Sequence, residues 1–150
     1  MLIKYLNVPK RGLHNPLRYG KGDDVHVAAC SPYALKVYEQ AFMEDPASEH
    51  HKLIEDTLDT GDSTEFMSIL GVNWDADMRA TWAMIRAADM AGLNEGVEPV
   101  PADYMDFLKE HAADFVDVLD LHDVVAKAVE ATFPSLSARL AKAGIGKQED

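Results

Sequence analysis

The stretch 74-WDADMRATWAMIRAADMAG-92 decides the fold class. Trp74, Met78, Trp82, Ile85 and Ala88 recur at steps of three or four, the period that aligns side chains on one face of an α-helix. Asp75, Asp77, Arg79, Arg86 and Asp89 fall largely on the opposite side. Both tryptophans of the chain lie here, and large aromatics dominate core energetics. Trp74, Met78, Trp82 and Ile85 are therefore the predicted core. Gly92 follows the last turn, where a residue at ease with positive φ closes a helix.

On either side the helical period continues. Ser31-Pro32 gives a cap and a first-turn proline, and Tyr33, Val37, Tyr38 and Phe42 follow at helical spacing with Glu39 and Gln40 facing out. Pro46 ends that helix. Ser48 caps a second helix through about Leu58, with Leu53, Ile54 and Leu58 inward. After a turn at Thr60-Gly61-Asp62, Ser63 is the predicted cap of a short helix holding Phe66, Ile69 and Leu70 and stopped by Gly71. Asn73 or Asp75 caps the central helix. Residues 92–101, GLNEGVEPVP, are the clearest loop. A helix beginning near Pro101 carries Tyr104, Phe107, Leu108 and His111, and one after a break at Ala113–Asp114 carries Val118, Leu121, Val125 and Val129 up to Phe133-Pro134. Ser135 to Ala143 forms a last short helix. The expectation is a mainly α fold: a compact bundle of five to seven short helices over residues 31–143, with a flexible tail at 144–150.

Residues 1–30 are different and are expected to be a short irregular or hairpin N-terminal arm. Leu2, Ile3, Tyr5, Leu6 and Val8 suit a short strand, and Val25-His26-Val27 alternates and suits a partner for it. The intervening KRGLHNPLRYGKGDD is rich in Gly, Pro and Asn and reads as turns and loops.

A 150-residue chain with 47% apolar residues supports one domain with a sizeable core. A single cysteine, Cys30, excludes an internal disulfide and favours a reducing compartment. No apolar run reaches the length of a signal peptide core or a membrane span, so a soluble, intracellular protein without a membrane partner is expected. The net charge of −12 is unevenly placed. Lys4, Lys10, Arg11, Arg18 and Lys21 make residues 1–22 +5, which leaves −17 for residues 23–150. Such a body repels nucleic acid and suits basic or apolar protein surfaces.

The chemistry-bearing residues form no constellation in the sequence. His50 and His51 are adjacent and point apart on a helix, while His111 and His122 fall on separate helices. A zinc site needs three or four converging ligands, so no metal is expected. Asp117, Asp120 and Asp123 lack the alternation and central glycine of a calcium loop and read as a solvated face. RYGKGDD is no phosphate loop: Asn15 stands where the first glycine belongs and Gly22 where the hydroxyl belongs. Cys30 has no histidine evidently paired with it and reads as a buried small residue. No catalytic residue, no cofactor and no enzyme activity are expected.

Three segments in order carry a resemblance. SPYALKVYEQAFMED, residues 31–45, sets Tyr38, Phe42 and Asp45 in a Y-x3-F-x2-D pattern; ATWAMIRAAD covers 80–89; VPADYMDFLKEH covers 100–111. Together they resemble the tail assembly chaperones of long-tailed bacteriophages, which run P-x5-Y-x3-F-G-x-D, W-A-M-x-K-x-A and P-S-F-E-x-W-L. Met43 stands where that family has glycine, and its third-motif tryptophan is replaced around Phe107. The resemblance implies a non-enzymatic protein of the short-form type. It would bind the tape measure protein, help recruit tail tube protein subunits, act in the host cytoplasm and be absent from the mature virion. A homo-oligomer is compatible with it. Recognition would use aromatic and methionine side chains, with Tyr38, Phe42, Met43, Met84, Met90, Tyr104 and Phe107 as partner-binding residues on an exposed apolar groove. Two rival readings are an acidic DNA-mimic inhibitor of a nucleic-acid-binding protein and a structural head–tail connector component.

Overall fold

The computed structural model describes residues 3–5, 14–21, 24–94, 96, 98–115 and 117–144. Its centre is helix α4, Trp74–Met90. Asn73, not Asp75, caps it: the Asn73 side-chain oxygen accepts from the Ala76 N–H at 3.2 Å. At the other end Gly92 takes φ +78°, the Leu93 N–H reaches the Ala88 carbonyl and the Gly92 N–H reaches that of Asp89. This paired closure satisfies carbonyls the last turn would leave open.

Met78, Trp82, Ile85 and Ala88 are buried, as are Asp77, Ala80, Thr81, Ala83, Met84 and Ala87, while Trp74 is half-buried. The two-sided pattern expected for this helix is thus replaced by burial on most of its circumference. The cause is its neighbours: α1 (Pro32–Phe42), β3 (Asp24–Cys30), α6 (Val118–Thr132), α3 (Thr64–Leu70) and α5 (Tyr104–His111) all pack on it. Asp77, predicted to face out, is among the most buried side chains.

Four of the other helices begin at side-chain caps. Ser31 accepts from the Ala34 N–H, Ser48 from His51 at the start of α2 (Glu49–Thr60), Asp103 from Asp106, and Asp117 from Asp120. Ser63 does not cap α3 with its side chain. The Asp62 carboxylate takes the Thr64 N–H instead, and the Ser63 hydroxyl donates to Glu130 Oε2 on α6 at 2.6 Å. A 3-10 turn, Ala112–Asp114, follows α5, and α7 is Leu136–Lys142. The described chain is mainly helical, with these seven α-helices as expected.

The N-terminal segment departs from its reading. β1 (Ile3–Tyr5), β2 (His14–Lys21) and β3 form an antiparallel sheet in the order β1-β2-β3. β2 lies inside the stretch read as turns, and Val25–Val27 pair with Gly20, Tyr19 and Arg18 of β2 rather than with β1. Leu2, Leu6 and Val8 fall outside the described residues, as does the predicted tail beyond residue 144. The turn-like composition of β2 has a local correlate. His14 pairs with Cys30 and Leu17 with Ala28, so Asn15-Pro16 face the single residue Ala29 across a bulge. A proline without an N–H is tolerated in a ladder at such a break. β3 lies against α4 and α1, and β1 and β2 lie against α6. No described helix is long and apolar enough to cross a membrane.

Candidate functional site

The resemblance segments meet at one aromatic cluster. Tyr38 and Phe42, one turn apart on α1, stand 5.2 Å centroid to centroid; Phe42 is 5.5 Å from Trp82 on α4 and 5.1 Å from Tyr104 on α5. Trp82 and Tyr104 are 6.0 Å apart. All four contacts are edge-to-face, the geometry that places a positive ring edge on a negative face. The Arg79 guanidinium lies 4.9 Å from the Phe42 centroid and its Nε is 2.9 Å from Asp75 Oδ2. Tyr104 donates its hydroxyl to Asp75 Oδ1 at 2.9 Å, closing the ring of contacts. Burial pushes the Tyr38 phenol up to about 12; burial and the Asp75 carboxylate raise that of Tyr104 as well. Both hydroxyls stay protonated at neutral pH.

This arrangement changes the expected contact surface. Tyr38, Met84, Tyr104 and Phe107 are buried, and Phe42 and Met43 are half-buried against the core. Only Met90 of the seven is exposed, at 56%, and the Tyr33 hydroxyl touches its sulfur at 3.4 Å. The motif rings have partners within the chain: Phe107, for one, packs on Phe115 and His111. Other exposed large apolar side chains, Val72, Met105, Leu119, Leu136 and Leu140, stand outside that set.

The predicted core residues anchor loops as well. Trp82 Nε1 donates to the Pro101 carbonyl at 2.9 Å, and Trp74 Nε1 to the Phe115 carbonyl at 2.6 Å. Asp89, assigned to the solvent side by its spacing, instead accepts from Asn94 Nδ2 and from the Val100 N–H. It fastens both ends of the 92–101 loop to the end of α4.

Two polar groupings escaped the sequence reading because each spans two helices. On α4 and α6, Asp77 Oδ2 is 3.2 Å from His122 Nδ1. Burial pushes the Asp77 carboxyl up to about 6, against the opposing pull of the imidazole. On α1 and α2, Glu39, His51 and Glu55 each bring one ligand-type atom to within 4.8 Å of the others. Glu39, predicted to face out, is buried. The i, i+4 spacing of His51 and Glu55 was the available signal; the third member comes from a different helix.

A cavity of about 20 Å³ lies between Cys30, Leu35, Tyr38, Phe66, Ala83 and Met84, with room for about one water. The Cys30 thiol beside it is pushed up to about 12 by burial, so it is neither a thiolate nor a nucleophile at neutral pH. Compared with known proteins, the chain matches no family model, no curated relative and no solved structure.

Proposed function

We propose that this protein is a non-enzymatic binding protein acting as a tail assembly chaperone, with a tape measure protein as client and tail tube protein as a second partner. The observation that carries the reading is the meeting of the three resemblance segments: rings from residues 31–45, 80–89 and 100–111 pack on one another although far apart in sequence. Motif residues that build a shared core belong together as a fold requirement, which supports reading the three likenesses as one. On this reading the motifs hold the scaffold, and client contact falls to the exposed apolar residues around Tyr33 and Met90. Methionine suits a client of varied sequence, being flexible and polarizable. The charge of −17 over residues 23–150 keeps a surface with exposed apolar groups in solution.

Co-expression with a long tape measure protein tests the reading. The client is expected to move to the soluble fraction, in a complex that survives moderate salt because its contacts are apolar. Failure to solubilise the client overturns the proposal. Capture of a basic DNA-binding protein with affinity falling steeply as salt rises favours the DNA-mimic alternative instead. Recovery of the protein in purified particles favours the connector.

A further inference from the structure

We propose that Glu39, His51 and Glu55 form a binding site for one divalent transition-metal ion of the Zn²⁺ type, which clamps α1 to α2. The inference stands apart from the chaperone reading and neither depends on the other.

Glu39 Oε2 and His51 Nδ1 are both buried and pair with each other at 3.1 Å across α1 and α2. With Glu55 they bring three ligand-type atoms from two helices within 4.8 Å of one another. Two donors each about 2.1 Å from one ion at the tetrahedral angle stand about 3.4 Å apart, close to the Glu39–His51 separation. His51 sits in the first turn of α2, with its backbone N–H on the Ser48 cap, and Glu55 follows one turn later on the same face. Its carboxylate is partly exposed and offers an oxygen within 4.8 Å of the other two ligand atoms.

Lys36 shows the cation preference of this corner. Its ammonium spans Glu39 Oε1 at 3.1 Å and Glu55 Oε1 at 2.5 Å. One positive charge faces two carboxylates, so a divalent ion balances the group better. The Lys36 side chain is 43% exposed and can withdraw into water when an ion enters. The donor set identifies the ion class. Ca²⁺ and Mg²⁺ favour all-oxygen shells, whereas an imidazole with carboxylates suits Zn²⁺ and its first-row neighbours, with water completing the shell.

The test uses the full chain, stripped with a chelator and titrated with Zn²⁺ against a chromophoric competitor, with Co²⁺ absorption as a second readout of imidazole coordination. One Zn²⁺ per chain is expected, raising the Tm and unaffected by millimolar Mg²⁺. His51→Ala and Glu39→Gln are expected to weaken binding at least tenfold, and His50→Ala to leave it unchanged. Lys36→Met removes the competing ammonium and is expected to tighten binding severalfold, a gain that a purely structural lysine does not give. Circular dichroism checks each variant, and if Glu39→Gln fails to fold, His51→Ala and Lys36→Met decide. No saturable binding by the wild type, binding unaltered in His51→Ala, or weaker binding in Lys36→Met overturns the proposal.

Discussion

Asp77 Oδ2 lies 3.2 Å from His122 Nδ1, tying the first half of α4 to the first turns of α6. The carboxylate has no exposed surface, and burial raises its pKa from 3.8 to about 6. The folded state therefore holds this proton more tightly than the unfolded chain. The stabilisation from that proton is complete below about pH 3.8 and is lost as the pH rises through 6. The stability of the wild type minus that of Asp77→Asn is expected to fall by roughly 2–3 kcal/mol between pH 4 and pH 7. Urea unfolding at both pH values measures it. A difference that grows with pH means that attraction to a charged His122 outweighs the burial of Asp77.

Ser63 is fully buried, and its hydroxyl holds Glu130 at 2.6 Å, while the first N–H of α3 is held by Asp62. Ser63→Ala is expected to cost about 1.5–3 kcal/mol, the range for a hydrogen bond to a charged group, and Asp62→Ala about 1 kcal/mol as a lost cap. A double-mutant cycle of Ser63→Ala with Glu130→Gln is expected to show coupling. Independent effects would mean that Ser63 acts through α3 alone.

Trp82→Phe keeps an aromatic ring against Phe42 and Tyr104 but removes the donor to the Pro101 carbonyl. A loss of about 1–3 kcal/mol is expected. Hydrogen exchange or limited proteolysis should show the 92–101 loop opening first. Uniform destabilisation with an unaltered loop would contradict the assigned role of the indole N–H.

Cys30 combines burial with a thiol pushed up to about 12. At pH 8 the native protein is expected to react with a thiol reagent only as fast as it unfolds, and urea is expected to release stoichiometric labelling at once. Rapid native labelling would place the thiol at the surface.

Met90→Glu replaces an exposed apolar contact with a charge at a site where the fold makes little demand. Unfolding stability should change by less than about 0.5 kcal/mol while client solubilisation falls severalfold. Tyr38→Ala is expected to do the reverse, lowering stability by about 3 kcal/mol through a cavity in the aromatic cluster. Equal loss of client binding and stability in both variants would dismiss the division between scaffold and contact surface.

The helices were legible because their signals are local. Spacing of three or four marked α4, and Ser31, Ser48 and Asn73 marked starts with hydroxyl or amide caps that bond backbone N–H groups three residues on. β2 was not legible, since Gly20 and Pro16 lower its strand propensity and its pairing is set by partners on both sides. Gly22-Asp23, two residues between alternating runs, was the hairpin signal available there.

By itself the sequence determined which segments coil into helices, where most of them start and stop, and which large side chains seek the interior. Tertiary structure alone decided that Glu39 and Asp77 are buried, that Ser63 joins α6 rather than capping α3, and that Glu39 meets His51 and Glu55. The reason is range. Periodicity and capping act within a turn or two, so they can be read along the chain. The burial of a polar group depends on which other helix lies across from it, and that is fixed only when the helices pack.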